Sequence, residues 1–462
     1  MMKKYKHHIA AIILTLLPLG CSSLMTSLQQ YKIVDQLVEN EKFEDAAQTF
    51  QQSKEEFFDT KDRVLYWIDL GLLQHYARMD SQAIINLQAA DFAIEELYTQ
   101  SISKGVASML LNDNALDYSG EDYENIYINV FKSLSYYREN NTEEALVEIR
   151  RLLEKFVTME QKYDAEISAL QNSDEIKTDV EKIDIAFYSS ALSHYISMIL
   201  FYNDFAFDDA RISKEKLYQS FDMQKELFNF PKPNFDSLIK NNGKPKLSFL
   251  TFLGRSPIKY EYVFSVDTYK DLVTISTFEN GRWQSYSSIS WYGIQGGLHA
   301  KFAVPKMQKR GSIVSKVEVY VNNIYKTDLV KLESLEDIAF ETFKRKEGII
   351  YLKSLARTIT KAIANEELNK ELDKQTGGGD WGDLTRLISG ALINATENAD
   401  LRITHYFPAY AYAGNFDIAP GNYNIKLIYK DSYNRTIATD TFDNYQVANN
   451  KKIDLIETYL LK

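Results

Sequence analysis

The chain has 462 residues, a formal net charge of −11, and 31 Tyr and 25 Phe. That length holds two or three domains with sizeable cores, and the aromatic content points to packing, since rings supply large buried area. The acidic balance, with no basic cluster to reverse it locally, repels phosphate backbones, so no nucleic acid is expected as a partner.

The first twenty residues divide like an export signal. Lys3, Lys4 and Lys6 give a basic start, an apolar run follows from Ile9 to Leu19, and Gly20 precedes Cys21. A crossing helix needs ~20 apolar residues, so the shorter run predicts a cleavable signal over 1–20 rather than a permanent span. Cys21 is the single cysteine of the chain and has no partner for an internal disulfide. The stretch Leu17-Pro18-Leu19-Gly20-Cys21 resembles the bacterial lipobox, departing from it at Pro18, where the pattern prefers an aliphatic residue. The resemblance implies acyl chains of the palmitate kind on Cys21, a tether over 21–27 and attachment to a membrane. Ser22, rather than Asp, follows the cysteine, which favours an outer membrane over retention in an inner one.

From residue 28 to 230 the spacing of apolar residues predicts helices, with turns at Glu39-Asn40-Glu41-Lys42 and at Arg138-Glu139-Asn140-Asn141. Trp67, Leu70, Gly71, Ala83, Leu87 and Ala90 fall at the spacings of a tetratricopeptide repeat, in which a small residue on each helix lets a pair approach. Weaker echoes surround Ala46, Ala145 and Ala210. The four alanines are separated by 37, 62 and 65 residues, whereas a strict array repeats near ~34. The expectation is an irregular helical-repeat domain whose concave face grips a protein partner.

Pro231, Pro233 and Pro245, with Asn241-Asn242-Gly243 between them, mark a linker over 231–246. Beyond it, residues 247–462 are expected to form an α+β domain. Alternation predicts strands over 259–266 and 313–321, the latter turning at Asn322-Asn323 into Ile324, and β-branched residues predict one over 272–278. Ser334 and Asp337 predict a helix start. Gly348 then separates that helix from a second over 349–368, and Gly377-Gly378-Gly379 precedes a third over 384–399. Strands over 411–418, 424–429 and 436–442 close the chain. Early and late strands are expected to share one mixed sheet with the helices packed on a face.

Three stretches carry a wider likeness: 112–118 through Tyr123-Glu124 to 145–151; Pro257-Ile258-Lys259-Tyr260-Glu261; and 397–402 with Pro408 and Pro420-Gly421-Asn422-Tyr423. In them the chain resembles a poorly characterised family of large bacterial lipoproteins with tetratricopeptide-like front halves. In the third stretch Thr404 and His405 stand where the family has an aromatic residue. The resemblance implies domain order and an envelope location, and no activity.

Chemistry leaves little trace. The six His lack ligand spacing, the loop at 377–383 lacks the ending of a phosphate-binding loop, and no nucleophile elbow occurs. Glu397 and Asp400 could serve glycan hydrolysis, but with Arg402 they read first as an ion-pair network joining helix to sheet. No catalytic residue, metal or cofactor is expected. The sequence therefore predicts a lipid-anchored envelope scaffold. The alternative is a peptidoglycan- or carbohydrate-binding protein in which Trp283, Trp291 and Tyr292 stack on sugars, against a core role for the same rings.

Overall fold

With no proline between residues 19 and 230, helices run uninterrupted by breakers. The computed structural model describes residues 29–104, 113–171, 187–279, 281–376, 398–448 and 452–462. Its described residues form four helical hairpins: α1 (Gln29–Glu39) with α2 (Phe43–Gln52), α3 (Arg63–Tyr76) with α4 (Asp80–Lys104), α5 (Asp122–Arg138) with α6 (Thr142–Gln171), and α7 (Ala191–Asn203) with α8 (Phe207–Met223). Each hairpin packs on the next. The long α6 carries part of the extra length between the third and fourth alanines.

All four turns repeat one geometry. A single residue in each has positive φ: Glu41 at 59°, Arg78 at 61°, Asn140 at 60° and Phe205 at 64°. The second helix opens two residues later, and three residues further on comes a fully buried alanine, Ala46, Ala83, Ala145 or Ala210. Close approach of the pair is enforced at Gly71, where a Cβ would lie 2.7 Å from Leu87 Cγ. Trp67 is half-buried against the core, and Leu70, Leu87 and Ala90 are buried in it.

The second helices are amphipathic, but α3, α5 and α7 are buried nearly all round. A helix without a polar face must be covered on both sides. One side meets its own hairpin partner; the other meets the C-terminal half of the chain. The inner face of the stack, expected to grip another protein, is thus occupied by the protein's own residues.

That C-terminal half contains two sheets instead of one. Seven strands run in the order β10-β9-β6-β7-β8-β1-β11, where β1 is Lys246–Leu253, β6 Lys316–Val321, β7 Ile324–Ser334, β8 Tyr410–Asp417, β9 Gly421–Lys430, β10 Thr436–Val447 and β11 Ile453–Leu460. Only the β1–β11 pair is parallel among these ladders; the others are antiparallel. A second sheet of order β4-β3-β2-β5 is built from β2 (Ile258–Tyr269), β3 (Leu272–Glu279), β4 (Arg282–Ser290) and β5 (His299–Gln308). Asn322 and Asn323 both have positive φ, at 50° and 62°, the geometry a two-residue hairpin turn demands.

The seven-stranded sheet curls over its own inner face, where Leu247, Phe249, Val317, Val319 and Leu427 form one core and Tyr429 of β9 donates to Thr458 of β11 at 2.9 Å. The opposite face of β1 turns Leu250 and Phe252 into the helical core, with Phe252 5.2 Å from the Phe131 ring. One hydrophobic core therefore continues past the proline-rich stretch. The helix α9 (Leu335–Thr376) covers the smaller sheet, Tyr351 meeting Phe264. Ser334 caps α9 by accepting from Asp337 N at 3.2 Å. Gly348 does not break α9: its position is exposed with open space around it, and packing on either side of it keeps the helix whole.

Strand β11 runs along the row of turns. Lys462 pairs with Glu41 of the first, Glu457 with Arg78 of the second and Arg138 beside the third, and Ile453 with Asn203 at the fourth. From Ile453 to Lys462 the extended chain covers about 30 Å, and three helix-to-helix steps of about 10 Å cover nearly the same distance. The last strand matches the stack in length as well as in contacts.

Candidate functional site

Residues 398–409 form neither helix nor strand, and 402–409 are all buried. Buried backbone groups outside regular structure need side-chain partners, and helices and strands supply them from several directions. Glu124 of α5 accepts from Thr404 N and Oγ1, each at 2.7 Å. Asp69 of α3 accepts from His405 N at 2.8 Å and Tyr406 N at 3.3 Å, while Tyr76 donates to Tyr406 O. Asn114 donates to Ala399 O and Lys259 of β2 to Arg402 O, both at 3.0 Å. Arg402 spreads over Asp400, Asp62 and the carbonyls of Asp113 and Leu116. Asn114 and Glu124, Lys259 of β2, and Ala399 to Thr404, from three distant parts of the sequence, thus meet at one buried junction.

Three buried carboxylates, Asp69 and Glu124 at this junction and Glu333 of β7, form no ion pair among the described residues and are held by N–H and O–H donors alone. Glu333 of β7 accepts from Tyr127 OH at 2.6 Å, Ser190 Oγ at 2.8 Å and Leu192 N at 3.2 Å. Burial disfavours the charged form, pushing Asp69 and Glu124 up and Glu333 up to about 7. Asp400 goes the other way: burial raises it, but the Arg402 guanidinium outweighs that and holds it low.

A second polar node joins α3, α5 and β11. His75 Nδ1 lies 2.7 Å from Ser135 Oγ and its Nε2 2.9 Å from Glu457 Oε1. That order, hydroxyl to imidazole to carboxylate, is the order of a nucleophile relay. Here it is structural. All three side chains are buried within packed elements, and Arg138 lies against the ring while pairing with Asp80 and Glu457. Burial and that guanidinium lower His75 to about 4. Burial raises Glu457, but Arg138, His75 and Arg78 overcome it and hold the carboxyl well below the usual range.

Of the residues singled out from sequence, Asp400 and Arg402 do meet as an ion pair; Glu397 and Cys21 lie outside the described residues, as do the glycine loop at 377–383 and nearly all of the helix expected over 384–399. His194 is buried beside Ser189. The three aromatic residues read as sugar platforms separate. Trp291 is buried, whereas Trp283 is 46% and Tyr292 74% exposed. Sequence reasoning missed Asp69, His75 as a relay centre, Glu333 and Glu457, because a buried acid inside an apolar run has no local signature of its distant partner. Among the described residues no group of three or more His, Cys, Asp and Glu could hold a metal ion, and no helix is long and apolar enough to cross a membrane. No protein-family model, curated protein or solved structure matches the chain.

Proposed function

We propose that this protein is a lipid-anchored cell-envelope lipoprotein whose tetratricopeptide-like hairpins serve as an assembly scaffold. The observation that carries the reading is where apolar surface remains on the stack. Its inner face is filled by the C-terminal half, so a partner must meet the outer helices. There Ile85 and Phe92, seven residues apart on α4, are exposed with Ala89 half-buried between them, and Val157 is exposed on α6. Residues at i, i+4 and i+7 form one stripe of a helix, and an apolar stripe facing water is a docking feature. Envelope membranes probed with tagged protein should yield a specific partner that Phe92→Glu loses at least about tenfold, while the fold is unchanged. Equal recovery by wild type and variant would remove the stripe from the interface. The anchor is tested by fractionation: Cys21→Ala should leave the membrane or remain unprocessed, and wild-type N-terminal peptides should carry the acyl mass.

A second reading, recognition of peptidoglycan or another carbohydrate, has one observation in its favour. The outer face of the smaller sheet sets Lys301, Ser265, Ser276 and Ser285 in one cross-strand row, with the partly exposed Trp283 on the same face. A hydroxyl-lined floor beside an aromatic ring suits a sugar chain. Sedimentation with purified peptidoglycan separates the readings: retention lost on Trp283→Ala favours this one, and no retention leaves the scaffold.

A further inference from the structure

The fourth turn differs in chemistry from the other three. At the positive-φ position they carry Glu41, Arg78 and Asn140, and the fourth carries Phe205. A left-handed backbone disfavours a bulky L residue, and the Phe205 side chain gains little from burial, being 67% exposed. Phe207, 42% exposed, and Tyr202 stand beside it. The three rings surround one point. It is occupied by Nζ of Lys452, 3.4 Å from the Phe205 centroid, 4.3 Å from that of Phe207 and 5.8 Å from that of Tyr202. Lys452 is delivered there by its backbone: Lys246 N donates to Lys452 O at 2.9 Å, and Asn203 pairs with both polar groups of Ile453. Asp204 in this turn and Asp208 and Asp209 in the first helical turn of α8 are all exposed.

The first turn provides an internal comparison. There the same position holds Glu41, whose carboxylate takes Nζ of Lys462 at 3.1 Å. A primary ammonium has three N–H donors and is well matched by an acid. A quaternary ammonium has none, and aromatic faces are what recognise it. Holding Lys452 alone would require one acid at position 205, as in the first turn. We propose that the turn between α7 and α8 is a binding site for a small quaternary ammonium group of the choline type, with Lys452 as an internal cation that the ligand displaces. The rings supply the attraction, the exposure of Phe205 and Phe207 gives access from solvent, and the three aspartates raise the local concentration of cations.

The test uses the full chain and tetramethylammonium chloride as probe, followed by NMR against sodium chloride at equal ionic strength. Lys452→Ala vacates the box. Phe205→Asn removes a ring while suiting the left-handed backbone, as Asn140 does in the third turn, so the fold survives and circular dichroism verifies it. Lys452→Ala should bind the probe saturably and about tenfold more tightly than wild type, and the double variant with Phe205→Asn should not bind. A second arm compares free choline with phosphatidylcholine vesicles. Phe205-dependent sedimentation with vesicles assigns the head group to lipid, and choline binding without sedimentation assigns it to a solute. If Lys452→Ala responds to the probe no more than the double variant does, the site is overturned. If wild type and Lys452→Ala bind equally, the displacement is.

Discussion

Replacing Arg138 with alanine is expected to lower the unfolding free energy by about 3–5 kcal/mol, the range for breaking a buried ion pair by removing one partner. Arg138 meets Asp80, Glu457 and the carbonyl of His75 at once. Without it, Glu457 keeps only His75 and the more distant Arg78, at 3.7 Å, as cationic or hydrogen-bonding neighbours from the helices. The buried carboxylate would be left undercompensated on the strand that ties the hairpins together. Urea unfolding at pH 7 reads the loss directly. A loss under about 1 kcal/mol would place the network with ordinary exposed ion pairs and would mean that packing alone holds β11. The same variant should raise the pKa of His75 by NMR, because Arg138 opposes protonation there while Glu457 and Asp80 favour it.

The second large effect is a pH dependence localised to Glu333. Its folded pKa is about 7, against an ordinary value of 4.5. Between those values the folded protein binds the proton that the unfolded chain releases, so this group's contribution is favourable at low pH and is lost as pH rises through 7. One pKa unit is about 1.4 kcal/mol, which makes the change from pH 5 to pH 8 about 2–3 kcal/mol. Buried His75 and His194, each lowered to about 4 chiefly by burial, act in the opposite sense: their contribution is lost as pH falls below 6.5. The clean measurement is therefore a difference. Glu333→Gln, whose amide still accepts from Leu192 N and can donate to the Tyr127 or Ser190 hydroxyl, should match wild type near pH 5. It should exceed wild type by about 2–3 kcal/mol at pH 8. Parallel stability curves for the two proteins would show that Glu333 does not titrate in this window.

A buried polar network of the same kind holds the junction between the two halves of the chain. A segment without regular structure crosses the core at 402–409, and its polar backbone is satisfied by side chains from α3, α5 and β2 together with Arg310. Asp69, Glu124 and Lys259 are themselves buried, so losing one leaves polar groups cut off from water. The acids there join the helical stack to the C-terminal half by hydrogen bonds to Thr404, His405 and Tyr406.

Much of the architecture was legible in the chain itself. Helical periodicity without proline marked the hairpins, and the turns at Glu41 and Asn140 fell where polar residues interrupted it. Gly71, Ala83 and Leu87 declared a close helix pair because helix packing is a local matter of side-chain size. Alternation located β2 and the β6–β7 hairpin, with Asn322-Asn323 its turn, and β-branched residues located β3. Strands β1 and β11 escaped notice because burial on both faces erases the alternation that marks a strand. Gly348 suggested a break because glycine weakens a helix by only about 1 kcal/mol, an amount that tertiary packing on the flanking turns overrides. The division into two sheets, the meeting of Glu457 with His75 across 382 residues and the assembly of the Lys452 box all depend on chain distances that no local pattern encodes. Sequence alone marked the N-terminal helical hairpins and the close approach at Gly71 and Leu87, but not the continuity of α9 through Gly348. Only the tertiary structure decided that the inner face of the stack is filled from within, because that outcome depends on the length and position of a strand at the far end of the chain.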